Sequence, residues 1–174
     1  MPEECVFCHI ANGKIPSKKV YEDDKVVAVL DINPAASGHI LLLTKEHIAI
    51  MPQMDDELVS YVGMIAKQLS SSVLRTLKVE GTSIFAANGL AAGQRAPHFM
   101  LHIIPRSTND GISLQPAEVK LDEKQMKDVW GKLAPSIAKQ FGKDVPEAKV
   151  EASKKPEKKA ELDEIASFLT GGKK

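Results

Sequence analysis

The chain has 174 residues, and its 23 basic and 23 acidic side chains balance. That length suffices for one well-buried domain with a surplus outside the core, and zero net charge removes the electrostatic footprint of a nucleic-acid binder. The longest apolar runs, such as Ile40-Leu41-Leu42-Leu43, are strand-sized, so no membrane span is expected. The acidic start Met1-Pro2-Glu3-Glu4 has neither the basic nor the apolar region of a secretion signal, which points to the cytoplasm. In that reducing setting the pair Cys5-Val6-Phe7-Cys8 reads as metal or redox chemistry more than as a disulfide.

In chain order, Lys19-Val20-Tyr21-Glu22 and Val26 to Leu30 read as two antiparallel strands joined at Asp23-Asp24, and Asn33-Pro34 breaks the second. His39 to Thr44 is the next strand, apolar almost throughout and so expected to be covered on both faces. A capping signal at Asp55 opens a long helix whose Leu58, Val62, Ile65, Leu69, Val73 and Leu77 recur every three or four residues and cover the sheet. Thr82 to Asn88 is a fourth strand, and the loop Gly89 to Pro97 returns the chain antiparallel to it.

Next comes His98-Phe99-Met100-Leu101-His102, with two histidines four residues apart. On a helix they would share a face and could reach one ion; on a strand they share a face but stand roughly 13 Å apart. Pro97 and Pro105 bracket only seven residues, and Phe, Leu and Ile suit a pleated surface, so the reading is a strand. Period two then sets His98, Met100 and His102 on one face and Phe99, Leu101 and Ile103 on the other. Asp110-Gly111 marks a turn, and a second helix is expected from about Asp122 to Phe141 with a kink at Pro135.

Residues 143–160 are rich in Lys, Glu, Ala and Pro, a composition that cannot offset its own ordering entropy and reads as a linker. In residues 161–174, Leu162, Ile165, Ala166 and Leu169 form a short amphipathic pattern closed by Gly171-Gly172. A helix this short needs a surface to lie on, in this chain or in a protein partner. The expected division is therefore a domain over 1–142, a linker over 143–160 and a tail over 161–174.

Cys5 and Cys8 together with His47 and His98 make a candidate tetrahedral zinc site, closed by four protein ligands and hence structural; His9 is an alternative ligand. Asp31 and Asn33 at a strand end read by default as turn caps. Asn88, Gln94 and the glycines at 89 and 93 offer donors and close backbone approach to an anion.

Taken together, Cys5-x-Phe7-Cys8, Gly13-Lys14-Ile15-Pro16-Ser17, Val20-Tyr21-Glu22-Asp23, Leu30-Asp31-Ile32, Gly38-His39, Lys45-x-His47, Gly93-Gln94 and Pro105-Arg106 resemble the histidine triad (HIT) family over roughly residues 3 to 106. The resemblance implies an α+β fold, an antiparallel sheet with a long covering helix and a C-terminal helix, assembled as a homodimer with a purine nucleotide site in each protomer. It implies zinc on Cys5, Cys8, His47 and His98, and base and ribose contacts from Phe7, Asp31 and Asn33. It places Asn88, Gln94 and His102 around the phosphate, with His39 buttressing the triad strand. The activities it implies are nucleotidyl hydrolysis and transfer on dinucleoside polyphosphates or nucleoside phosphoramidates.

One departure bears on all of this. The family row is His-φ-His-φ-His, and its central histidine forms a covalent nucleotidyl intermediate; Met100 stands at that position here. A thioether is neutral and weakly basic, so it replaces imidazole neither as nucleophile nor as general base. Arg95 stands where many members carry Ser or Thr, and its guanidinium either holds phosphate bidentately or points to water. The sequence thus reads as a nucleotide-binding protein of hydrolase or transferase type without its central nucleophile, with a catalytically silent binding or interaction module as the alternative.

Overall fold

The computed structural model describes residues 5–113 and 116–142. These fall into two compact units, divided between residues 115 and 116. In the first, Val6–Ala11 forms α1, followed by the strands β1 (Lys19–Glu22), β2 (Val26–Leu30) and β3 (Ile40–Thr44). The helix α2 (Asp56–Leu77) leads to β4 (Gly81–Phe85) and β5 (Met100–Arg106). The sheet is antiparallel throughout, in the order β1-β2-β3-β5-β4.

Both faces of the sheet are covered, which is why every residue of β3 is buried. Val26, Ala28, Ile40, Leu42, Phe99, Leu101 and Ile103 pack toward Leu58, Val62, Ile65 and Val73 of α2. On the opposite face Val27, Val29, Leu41 and Leu43 pack with Ala11 of α1, and Phe7, Ile10 and Met100 close over them. Each large side chain buried in this way contributes about 1.5–3 kcal/mol. The long helix starts where its sequence signal placed it: the Asp55 carboxylate accepts from Leu58 N at 2.7 Å, and Asp56 and Glu57 occupy the first turn, where the helix dipole favours negative charge.

Three details differ from the expected elements. The N-terminal segment, which has little core of its own, coils into α1, with Cys8 and Ala11 buried against the sheet. Strand β4 stops at Phe85, and Asn88, expected within it, lies beyond it and accepts from the Met51 amide. Pro105 lies inside β5, beyond the stretch paired with β3, whose first residue Ile40 stands opposite Ile103, so that β5 there has a neighbour on one side only, a position that tolerates proline.

The β1–β2 turn is fastened to α2 through one carboxylate. Tyr21 and Tyr61 each donate a hydroxyl to Asp23 Oδ2 at 2.6 Å, while Lys25 N and Val26 N donate to Oδ1 at 2.8 Å. Burial pushes this acid up, but the four donors outweigh it and hold Asp23 at about 2. Asp23→Ala should cost about 1.5–3 kcal/mol at neutral pH in urea unfolding, the usual worth of hydrogen bonds to a charged group. Because the folded value is depressed, this contribution is full above the ordinary value of 3.8 and is lost as pH falls toward about 2. A difference from the parent below about 0.5 kcal/mol would show the four contacts to be energetically inert.

In the second unit Glu123–Phe141 forms α3, opened by a capping box in which Asp122 and Gln125 exchange side-chain and backbone bonds. The helix runs through Pro135. Met126, Val129, Trp130, Leu133, Ile137 and Phe141 recur at helical spacing, and each is exposed. The linker and tail expected over 143–174 lie outside the described residues. Among the described residues no helix is long and apolar enough to cross a membrane.

Candidate functional site

The pleat of β5 carries Met100 and His102 toward the α1 side, with His98 just ahead of the strand. The register sets Met100 opposite Leu43 and His102 opposite Leu41. His98 is fully buried, and its Nε2 lies 3.0 Å from Thr44 O. A carbonyl only accepts, so Nε2 carries the proton and the lone pair sits on Nδ1. That lone pair faces the sulfurs of Cys5 at 3.6 Å and Cys8 at 3.5 Å, while His47 Nδ1 lies 3.2 Å from Cys8 Sγ.

Cys5, Cys8, His47 and His98 therefore gather one donor atom each around a common point, and His9 lies outside the group. A tetrahedral zinc with bonds of about 2.3 Å to sulfur and 2.0–2.1 Å to nitrogen separates S from N by about 3.6 Å, so the donor set fits zinc. Burial, together with the adjacent Cys5, pushes the Cys8 thiol up to about 11, a cost that thiolate coordination to a cation removes.

A second cluster stands at the other end of the row. Ala35 N donates to His39 Nδ1 at 3.2 Å, so His39 carries its proton on Nε2 and donates it to His102 Nδ1 at 3.1 Å. The proton of His102 is thereby set on Nε2. Asp31 Oδ2 stands 3.4 Å from His39 Nδ1, and Asp31 Oδ1 accepts from Asn33 N at 2.9 Å. Burial lowers both histidines below the ordinary 6.5; it outweighs the pull of Asp31, and for His102 the neighbouring His39 adds to it. The pair is neutral at pH 7, with its chain of donors running from a backbone amide outward.

The Phe85 ring lies flat on His102, with centroids 4.6 Å apart and planes at 4°. Gly38 leads into His39 at φ +87°, a left-handed conformation that strains any side chain, and a Cβ there would also push Leu77 Cδ1 aside. The loop after β4 is pinned rather than open: Met51 N donates to Asn88 Oδ1 at 2.9 Å, Gly89 N to Gln94 Oε1 at 2.7 Å, and Gln94 Nε2 to Ala49 O at 2.6 Å. Arg95 is exposed on the same loop. Asn33 is exposed and Phe7 half-buried, and Ile32 between Asp31 and Asn33 is 90% exposed, a large apolar side chain held in water beside the acid.

The expected site residues thus fall into three groups: Cys5, Cys8, His47 and His98; Asp31, His39 and His102; and the pinned Asn88 and Gln94. Met100 lies on the same face as His98 and His102. Sequence reasoning missed Phe85, Ile32 and the Ala35 amide. Phe85 was open to discovery, because drawing β4 against β5 sets it directly opposite His102.

Comparison with known proteins agrees with the fold. The chain is 44% identical over 131 residues to an uncharacterized HIT-like protein of Methanocaldococcus jannaschii, covering 73% of this chain and 99% of that one. The fold is similar to that of a histidine triad nucleotide-binding protein from Candida albicans, with 29% identity and a TM-score of 0.70 over 79% of this chain and 99% of that one. It is also similar to a zinc-bound histidine triad family protein from Mycobacterium smegmatis, with 27% identity and a TM-score of 0.61 over 76% and 97%. The HIT domain family model matches residues 12–109, more than half of the chain, and the protein belongs to the HIT family.

Proposed function

We propose that this chain binds a purine nucleotide of the AMP class, on a scaffold of nucleotidyl hydrolase or transferase type, and does not itself form the covalent nucleotidyl intermediate. The observation that carries this reading is the donor chain from Ala35 through His39 to His102, intact beside a thioether that cannot attack. His102 Nε2–H offers a neutral, oriented donor to a phosphate oxygen. Asp31 keeps acceptor capacity for ribose hydroxyls, and Phe7 and Ile32 present apolar surface to a base. Asn88 uses its oxygen on Met51 N, which leaves its NH2 to donate; Arg95 supplies charge.

Zinc on Cys5, Cys8, His47 and His98 would be structural, since four protein ligands close its coordination and leave none for substrate. His98 then has no lone pair to lend to catalysis. We assign the protein to a reducing, cytoplasmic setting and to a homodimer, on the strength of its cysteine usage and its family. Light scattering at micromolar concentration should report twice the chain mass; a monomer would contradict the dimer.

Calorimetry with AMP, followed by a turnover assay with an adenosine phosphoramidate, tests the central reading. Saturable AMP binding without hydrolysis is expected. Hydrolysis by the unaltered chain would show that the central histidine is dispensable, and absence of binding would favour an interaction module.

A further inference from the structure

Phe85 lies on β4, the strand at one edge of the sheet, directly opposite His102 in the register. Its side chain is absent from both hydrophobic clusters of the core, and the residue remains 38% exposed. Core packing therefore does not account for a large aromatic at this position. Its one aromatic partner among the described residues is the imidazole of His102, at 4.6 Å and nearly coplanar.

The contact supplies what the hydrogen bond from His39 lacks. A single bond at Nδ1 excludes a half-turn of the imidazole but leaves the ring free to wag about that atom, and a tilt of its plane swings Nε2–H off its line. His39 approaches with a 36° tilt at 5.2 Å and does not restrain the plane. A flat aromatic surface at stacking distance does, and it adds an interaction beyond simple burial. Phe85 and His39 together thus define the ring completely, one by its plane and the other by its Nδ1.

We propose that Phe85 is a positioning residue for the phosphate subsite: by stacking on His102 it holds Nε2–H aimed at an anion, and so governs affinity for the phosphate while leaving the nucleoside untouched. The proposal rests on the nucleotide reading above for its ligand, but its effect on His102 is measurable without one. No proton transfer or bond change is involved.

The test compares the parent with Phe85→Leu and Phe85→Tyr in the full chain. Side-chain NMR relaxation of the His102 ring reads how firmly its plane is held, and calorimetry with AMP and with adenosine reads the phosphate contribution. The parent and Phe85→Tyr should show one ordered ring. Phe85→Leu should show a mobile ring, its tautomer still set by His39, and bind AMP about three- to tenfold more weakly, the range a lost stacking contact allows, with adenosine unchanged. An equally ordered ring in Phe85→Leu overturns the proposal whether or not any nucleotide binds. Parallel weakening of AMP and adenosine, with a lower melting temperature, overturns it in favour of a plain structural role. If the parent binds neither ligand, the nucleotide reading fails, and the ring order alone decides what Phe85 does to His102.

Discussion

Met100→His should convert the chain into a nucleotidyl transferase. The register opposite Leu43 keeps position 100 on the face shared by His98 and His102, so the new imidazole enters where the resemblance places the attacking group. The scaffold would already supply its position, and a donor on His102 stands two residues along the strand to meet the phosphate. Losing a nucleophile can cost on the order of a million-fold in kcat, so even a partly restored site should gain about a hundredfold or more on an adenosine phosphoramidate or dinucleoside polyphosphate. The substituted chain should also trap acid-labile, covalently attached label, as a phosphorus–nitrogen bond would. A variant that binds AMP but neither turns over nor labels would mean that Arg95 or the pinned loop has left catalytic geometry.

Loss of zinc should have the largest effect on stability. Cys5, Cys8 and His98 are buried, and without a cation they leave two thiols and an imidazole lone pair facing one another out of water. The helix α1 has only six residues, too few to stand alone, and the metal is what would fasten it to the sheet. Structural zinc sites supply free energies of many kcal/mol, so a strong chelator or Cys8→Ser should lower Tm by on the order of 10 °C or more. Metal analysis should return one zinc per chain. Freshly purified protein without metal, whose Tm is indifferent to chelator, would rule the centre out.

How far these features were legible in the sequence depends on how local their causes are. The run Ile40 to Thr44 and the alternation from His98 to Ile103 carry their own periodicity, and Asp55 announces α2 with a capping carboxylate. Both the sheet faces and the covering helix followed from those. The gathering of Cys5, Cys8, His47 and His98 was also open to reading, because cysteine and histidine are few. Helix α1 was not, since Phe7, Ile10 and Ala11 make only one apolar turn and depend on Val27, Val29, Leu41 and Leu43 to cover them. The tautomers of His39 and His102 were out of reach as well. They follow from the Ala35 amide and from a contact across 63 positions, and a backbone donor leaves no trace in residue type.

The segment from Ile48 to Met51 has no regular structure until its last residue, yet three parts of the molecule are stitched to it. Phe99 N donates to Ile48 O at 2.6 Å, Gln94 to Ala49 O, and Met51 N to Asn88. Since His47 immediately precedes this segment, it acts as a common hinge pin for the candidate metal ligands and the loop over the proposed nucleotide site. Its amides should therefore open as one cooperative unit: Met51, Gly89 and Phe99 should exchange with solvent deuterium at a single shared free energy, below that of global unfolding. Zinc and nucleotide, though bound to different side chains, would each slow all three protons, and each ligand should tighten the binding of the other by the same factor.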